Sequence, residues 1–178
     1  MANPVLEKDS SIQFPHFTIL KASAGSGKTY SLTERFVQFL LSGKIPQNHL
    51  RNILAITFSN NAAKEMKERI LSWLKDIYFK DPEKIKELFE IVSLKEDHLA
   101  AKAGAVIDEI LRNYTEFQVK TIDSFMTSIY KASAIDLGYS PDFEIVMAPE
   151  DIMAYAFNRF LRGVRERTPE AEFLERLL

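Results

Sequence analysis

The chain has 178 residues, of which 46% are hydrophobic and 27% are charged, with no cysteine and a formal net charge of −2 at pH 7. This composition supports a packed core and excludes global disorder, disulfide scaffolds, thiolate zinc sites and bulk electrostatic attraction to nucleic acid. The N-terminus has no signal-like apolar segment and no apolar run is long enough to span a bilayer, which predicts a cytoplasmic protein without a membrane contact.

The first predicted elements are a strand, a turn and a helix. The β-rich apolar run "FTIL", residues 17–20, predicts a short buried strand. After a turn rich in glycine and serine, the pattern from about Gly27 to Leu41 predicts an amphipathic helix with Leu32, Phe36 and Leu40 on one stripe.

A second strand and a second helix follow a polar loop. "NILAITF", residues 52–58, is a continuous apolar run, typical of a parallel strand that is covered on both faces. Asn60 or Asn61 is expected to cap the next helix. The apolar positions at helical spacing in that helix are Met66, Ile70, Trp73 and Ile77.

The rest of the chain predicts one more strand among several helices. "FQVKTI", residues 117–122, predicts the third strand, and "GYSPDFEIV", residues 138–146, predicts a turn and a short extended piece. The remaining helices are predicted at about 85–92, 96–114, 123–136, 149–163 and 169–178. This order predicts an α/β fold with a parallel sheet and right-handed crossovers. Because the last helix has no stop signal, we expect the chain to be part of a longer protein.

The turn before the first helix carries a phosphate-binding pattern. P-loops read Gly-x4-Gly-Lys-Ser/Thr between a strand and a helix, and here Ala22 replaces the first glycine. Gly25 and Gly27 still allow backbone amides to turn inward around phosphate oxygens, at the positive end of the helix. Lys28 is expected to reach the β and γ phosphates and Thr29 to hold Mg²⁺, as the candidate catalytic pair. The alternative is a glycine-rich turn that only caps the helix. The predicted ATP site consists of Ala22, Ser23, Ala24, Gly25, Ser26, Gly27, Lys28 and Thr29.

An acidic motif that binds Mg²⁺ and activates water would be the second half of such a site. "AVIDEIL", residues 105–111, offers Asp108 and Glu109, but the apolar spacing around them fits a helix better than a strand. Since a helical Asp–Glu pair is usually a solvated face, the acidic half is predicted to be missing.

Polar side chains follow the second strand in "ILAITFSNNAAKEMKERI", residues 53–70. Ligands of open α/β sheets bind beyond the carboxyl ends of strands, where Thr57, Ser59 and Asn60 are expected. Phe58 could stack on a base there. The alternative is a buried Phe58, a capping Asn60 and helix charges that are only solvated. Local positive charge would come from Lys64, Lys67 and Arg69.

Three stretches in this order carry a resemblance. "ASAGSGKT" (residues 22–29) is similar to a Walker A motif, "ILAITFSNNAAKEMKERI" to motif Ia, and "VKTIDSFMTSIY" (119–130) to the next DNA-contacting motif of one family. The sequence resembles the superfamily 1 DNA helicases of the UvrD/RecB type, and more closely the RecB/AddA-like helicase–nuclease branch. "FEIVMAPED", residues 143–151, is similar to the entry into the helical insert of the first lobe. The resemblance covers about residues 17–165.

The resemblance implies a P-loop NTPase with a RecA-like parallel sheet flanked by helices over residues 1–148 and the start of a helical insert subdomain over 149–178. It implies the ATP-binding part of an ATP-dependent DNA helicase, with ATP and Mg²⁺ as cofactors. Such a helicase moves along single-stranded DNA and unwinds duplex DNA, here in a helicase–nuclease of DNA repair and recombination. A second helicase–nuclease subunit is a further candidate partner. The implied DNA contacts are Thr57, Phe58, Ser59, Asn60, Thr121 and Ser124.

The sequence departs from the family pattern at several positions. Asp123 replaces a usual histidine, so that it repels phosphate or caps the following helix, and Asn61 replaces a usual lysine. Gln13, Phe14 and His16 are the alternatives for contact with adenine. The acidic motif, the arginine fingers and the second lobe of the family are absent, so this chain alone is expected to bind nucleotide weakly and to hydrolyse it hardly at all.

Two other functions compete with this interpretation. A nucleotide or metabolite kinase would need an arginine-bearing lid, and the only arginine cluster favours a solvated helix face. A non-catalytic module that holds DNA or a partner on the same surface is the other alternative. The cluster consists of Arg159, Arg162, Arg165 and Arg167.

Overall fold

The computed structural model describes residues 6–21, 27–140, 142, 146, 148–165, 169, 171, 173 and 174. The chain divides into two compact units, Met1–Ser128 and Ile129–Leu178. Its helices and strands, in chain order, are α1 (Lys28–Leu41), β1 (Ala55–Thr57), α2 (Asn60–Tyr78), α3 (Pro82–Ile91), α4 (Glu96–Arg112), β2 (Val119–Thr121), α5 (Ile122–Ala132) and α6 (Glu150–Gly163). Single 3₁₀ turns occur at Asp9–Ser11, Leu50–Asn52 and Tyr114–Glu116.

Strands β1 and β2 form a two-stranded parallel sheet. Ala55 pairs with Val119, and Thr57 pairs with Thr121. The crossover between them contains α2, α3 and α4, which is the connection that parallel neighbours require. The predicted parallel pairing is confirmed for these two strands, and their carboxyl ends lie at the same edge of the sheet.

The core of the first unit lies where α2 packs between α1, α4 and β2. The four apolar positions predicted for α2 are all buried. Each such side chain contributes about 1.5–3 kcal/mol when it leaves water, so this stripe fixes which face of α2 turns inward. The largest fully buried side chains are Phe117, Leu40, Leu41, Leu50, Met66, Ile70, Leu74, Ile77, Leu88, Ile91, Leu99 and Ile110.

The stripe predicted for α1 is partly wrong. Phe36 and Leu40 are buried, but Leu32 is exposed, and the buried face instead includes Val37 and Leu41. The helix therefore turns its i, i+1, i+4, i+5 positions inward, which is the wider apolar face of a helix packed by several neighbours.

The predicted strand at residues 17–20 is wrong. The structure describes this segment as irregular chain, with Phe17 85% exposed. A strand exists only where a neighbouring backbone completes its hydrogen bonds, and in the described residues neither β1 nor β2 pairs with this segment. The β-forming composition of "FTIL" is therefore insufficient by itself.

Two further local predictions for β1 and α2 are wrong. Leu54 and Ile56 are exposed, so β1 is covered on one face and not on both. Neither Asn60 nor Asn61 caps α2, because the helix already begins at Asn60 and Ser59, in extended conformation, accepts a hydrogen bond from the Ala62 amide (3.2 Å).

Segment 105–111 belongs to α4, with Asp108 exposed, which confirms its helical interpretation. The predicted extended piece at 138–146 and the predicted helix at 169–178 fall largely outside the described residues. Among the residues that are described, no helix is both long enough and apolar enough to cross a bilayer.

Candidate nucleotide and nucleic-acid site

The first helix begins at the predicted phosphate-binding turn. Gly27 precedes α1 in the left-handed conformation (φ 85°), which an L-residue with a side chain rarely adopts. Lys28 and Thr29 are exposed in the first turn, where helix amides point outward. Residues 22–26, which complete the predicted ATP site, lie outside the described residues. The described part thus offers an anion-binding helix end with an exposed lysine and hydroxyl.

A cavity of about 310 Å³ lies beside Lys28, between the irregular segment at 17–20 and α1. Arg35 donates through Nη1 to Oε1 of Gln38 (2.8 Å), while its Nη2 is buried without a hydrogen-bond partner among the described residues. Desolvation lowers the pKa of Arg35 from its ordinary value. A buried donor of this kind is a group that an acceptor on a ligand would satisfy. The cavity is lined by Leu6, Thr18, Leu20, Lys28, Ser31, Leu32 and Arg35.

None of the three upstream candidates for adenine contact lines this cavity. Gln13 is exposed, and Phe14 packs edge-on against Phe39, with ring centroids 6.4 Å apart. Nε2 of His16 is 2.9 Å from the hydroxyl of Thr18. No local pattern in the sequence singled out Arg35, because its burial depends on how the N-terminal segment packs on α1.

The carboxyl ends of β1 and β2 carry the predicted DNA-contact residues. The Thr57 hydroxyl donates to the Ser59 carbonyl (3.1 Å), and the Thr121 hydroxyl accepts from the Ser124 amide (3.2 Å). Phe58 is 93% exposed, so the alternative in which Phe58 belongs to the core is wrong. An exposed ring beyond a strand end is available for stacking.

The hydrogen bond between Thr121 and Ser124 also decides the role of Asp123. From the sequence, Asp123 is a candidate cap for the helix that follows β2. In the structure it lies within the first turn of α5, and the acceptor for the Ser124 amide is the Thr121 side chain. Asp123 therefore remains as an exposed carboxylate near the sheet edge.

A second cavity, of about 510 Å³, lies between α2, β2 and the start of α5. We call it the lysine pocket, after Lys64, Lys67 and Lys120. It brings together three predicted contact residues, Asn60, Thr121 and Ser124, whereas Thr57, Phe58 and Ser59 do not line it. Its lining residues are Asn60, Ala63, Lys64, Lys67, Glu68, Leu71, Tyr114, Val119, Lys120, Thr121 and Ser124.

Sequence reasoning missed two members of this pocket. Lys120 precedes Thr121 in an alternating strand, and that position was a usable signal. Tyr114 had no such signal, because only the fold brings it to Lys67. Of the basic residues that were predicted, Arg69 is paired with Glu65 on α2 and does not line the pocket.

A helix that begins at Gly-Lys-Thr, followed by two parallel strands joined through helices, is the arrangement of the P-loop nucleoside-triphosphate-binding class. The family description "UvrD/REP helicase N-terminal domain" matches residues 8–173, and the chain belongs to this family. Membership of this family implies the P-loop NTPase fold.

Relatives of this chain share one description, that of an ATP-dependent helicase/nuclease subunit. The chain is 32% identical over 176 residues to the protein of that description from Lactobacillus gasseri, covering 98% of this chain and 12% of the relative. It is 30% identical over 148 residues to the one from Exiguobacterium sibiricum, covering 80% of this chain and 11% of the relative. A shorter match, 45% identical over 64 residues, covers 36% of this chain and 5% of the one from Lactobacillus johnsonii. The chain thus spans about a tenth of the length of the relatives that it matches most fully.

Proposed function

We propose that this chain is the ATP-binding part of an ATP-dependent DNA helicase that moves along single-stranded DNA and separates duplex DNA. Its family and the helicase/nuclease description that its relatives share support a helicase–nuclease that acts in DNA repair and recombination. The same descriptions do not favour a nucleotide or metabolite kinase. A second helicase–nuclease subunit is part of the proposal.

The proposal includes a finer description of the fold. Residues 1–148 are the first part of a RecA-like lobe, and residues 149–178 begin a helical insert subdomain. The parallel pairing of β1 and β2 and the helical state of α6 support it.

The nucleotide site runs from Ala22 to Thr29. Lys28 binds the β and γ phosphates, Thr29 holds Mg²⁺, and the metal supplies charge neutralisation on the phosphates when bound. The left-handed Gly27, the exposed first turn of α1 and the orphaned Arg35 Nη2 support this assignment. Since Asp108 and Glu109 belong to α4, the described part of the chain offers no acidic motif at a strand end, and slow hydrolysis by this chain alone is expected.

The DNA site lies at the edge where β1 and β2 both end. The observation that carries the proposal is the parallel register, which pairs Thr57 with Thr121 and so aligns two motifs separated by three helices. Phe58 stacks on a base, and the polar groups around it bind the strand. The proposed contacts are Thr57, Phe58, Ser59, Asn60, Thr121 and Ser124.

Two binding titrations on the 178-residue chain test the proposal. One uses a fluorescent ATP analogue with Mg²⁺, and the other uses a labelled single-stranded DNA oligonucleotide. Lys28→Ala is expected to abolish nucleotide binding and to keep oligonucleotide binding, because Lys28 serves only the phosphates of the nucleotide.

Lys44→Ala is the matched control, since Lys44 is an exposed lysine that lines neither cavity. It is expected to leave both titrations unchanged. Nucleotide binding that survives Lys28→Ala, or a chain that binds no single-stranded DNA, would overturn the proposal.

A further inference from the structure

The ammonium group of Lys67 is held by two aromatic rings at the lysine pocket. Its Nζ lies 4.7 Å from the ring centroid of Tyr114 and 5.6 Å from that of Phe117. The rings are themselves packed edge-to-face, with centroids 6.2 Å apart. Phe117 is buried and Tyr114 is 54% exposed, so a rigid ring and an accessible ring fix the lysine together.

This arrangement orients a positive charge without neutralising it. A carboxylate partner would cancel the charge of the ammonium group, whereas an aromatic face attracts the cation through its quadrupole and leaves the net charge intact. Within the described residues, Lys67 and Lys120 form no ion pair, while Lys64 lies 4.0 Å from Glu68. Two uncompensated ammonium groups therefore face one pocket.

The position of the pocket indicates which anion it suits. Asn60 and Ser124 line it together with the two lysines, and they come from the two predicted DNA motifs. Lys120 belongs to β2, directly before Thr121, so its backbone is fixed by pairing with Ile56. A phosphate that bridged Lys67 and Lys120 would therefore lie along the same strand path as those motifs.

We infer that Lys67 and Lys120 bind a backbone phosphate of the single-stranded DNA and that Tyr114 is a positioning residue for Lys67. This inference rests on the proposed function and adds a contact to its DNA site. Phosphate contacts fix register and carry no sequence information, so the contribution is the same for every DNA sequence. It also explains how a chain with a net charge of −2 holds a polyanion locally.

The salt dependence of oligonucleotide binding tests the two lysines. Each lost phosphate contact lowers the slope of log K against log salt concentration by about 0.7 for a single strand. If the affinities converge at about 1 M salt, this slope corresponds to about an eightfold loss at about 50 mM salt. Lys67→Gln and Lys120→Gln are each expected to behave in this way with oligonucleotides of different sequence.

Lys75→Gln is the matched control, because Lys75 is an exposed lysine of the same helix outside the pocket. It is expected to leave the slope unchanged. Slopes for Lys67→Gln and Lys120→Gln that equal the wild-type slope overturn the inference.

A double-mutant cycle tests the role of Tyr114. Tyr114→Phe keeps the ring and is expected to bind DNA as the wild type does, whereas Tyr114→Leu is expected to weaken binding. In the Lys67→Gln background, Tyr114→Leu is expected to have no further effect. An equal loss in both backgrounds would show that Tyr114 does not act through Lys67 and would overturn its positioning role.

The outcomes separate this inference from the proposed function. A wild-type chain that binds no single-stranded DNA contradicts the proposed function. A chain whose DNA binding is weakened by Phe58→Ala, but whose salt dependence is unaffected by Lys67→Gln and Lys120→Gln, keeps the proposed function and loses only the phosphate contact.

Discussion

Thr57 and Thr121 are direct partners in the parallel register of β1 and β2, each the last residue of its strand. Both hydroxyl groups bind the local backbone: that of Thr57 donates to the Ser59 carbonyl, and that of Thr121 accepts from the Ser124 amide. The pair therefore shapes the turns that present the groups beyond the strand ends. Its first role is to build the edge on which DNA is proposed to bind.

Replacing Thr121 by valine should destabilise the start of α5. The side chain is buried and its hydroxyl is the acceptor for the Ser124 amide, so Thr121→Val leaves that amide unpaired. The expected cost is about 1 kcal/mol in the free energy of unfolding, as for other lost helix caps. Chemical denaturation measures it, and Thr121→Ser, which keeps the hydroxyl, is the control. Equal stability of the valine and serine variants would contradict the capping role.

Removing the Phe58 ring should weaken DNA binding without affecting stability. Because the ring is almost fully exposed, Phe58→Ala loses little buried area on folding. The lost stacking is expected to weaken single-stranded DNA binding by about 1–3 kcal/mol. Fluorescence anisotropy with a labelled oligonucleotide measures the loss.

Phe79→Ala is the control for that measurement. Phe79 is also exposed, at 70%, but it belongs to the opposite end of α2. The control should bind DNA like the wild type, and an equal loss in both variants would mean that Phe58 has no specific contact with the strand.

The Asp9 carboxylate should make the stability of the chain sensitive to acid. Asp9 is 1% exposed and accepts hydrogen bonds from the Ser42 hydroxyl (2.6 Å), the Ser93 hydroxyl (2.6 Å) and the Ser93 amide (3.0 Å). Burial by itself would raise the pKa of Asp9, but these hydrogen bonds outweigh it and hold the pKa below the ordinary 3.8. The stabilisation is therefore complete above about pH 3.8 and is lost as the pH falls through the lower folded-state pKa.

Two substitutions test this contribution. Asp9→Ala should cost about 3 kcal/mol at neutral pH, because several donors lose a charged acceptor. Asp9→Asn, which keeps one acceptor oxygen, should reduce the fall in unfolding free energy between pH 7 and about pH 3. Urea titrations at both pH values measure the effect, and Asp108→Asn at an exposed helix position should leave the acid sensitivity as it is in the wild type.

Lys84 should stabilise the contact between α3 and α2 through Trp73. Its Nζ lies 4.2 Å from the Trp73 ring centroid and 2.7 Å from Oε2 of Glu87. Lys84→Met keeps the apolar stem and removes the charge, and it should lower the free energy of unfolding by about 1 kcal/mol. Trp73 is the only tryptophan, so its fluorescence reports the unfolding directly. Lys86→Met, at an exposed position of the same helix, is the control and should change neither stability nor emission.

Local sequence pattern was sufficient for most of the helices. The spacing of apolar residues located α1, α2, α3, α4 and α6 to within a few residues, because each of these helices carries its own inward stripe. The same spacing assigned Asp108 to a helix and so rejected it as a strand-end acidic motif. The three motifs also indicated the family correctly, since backbone turns and strand-end hydroxyl groups are encoded in short stretches.

Tertiary structure decided everything that depends on a distant neighbour. "FTIL" has the composition of a strand, but a strand requires a paired backbone, which local composition does not encode. The association of Lys67 with Tyr114, the joining of Asn60 to Ser124 in one pocket, and the burial of Arg35 each require segments far apart in the chain to pack together. By itself the sequence determined which residue types stand at the ends of helices and strands, and the packing of α2 between α4 and β2 decided which of them meet, because side-chain contacts follow from the fold and not from spacing along the chain.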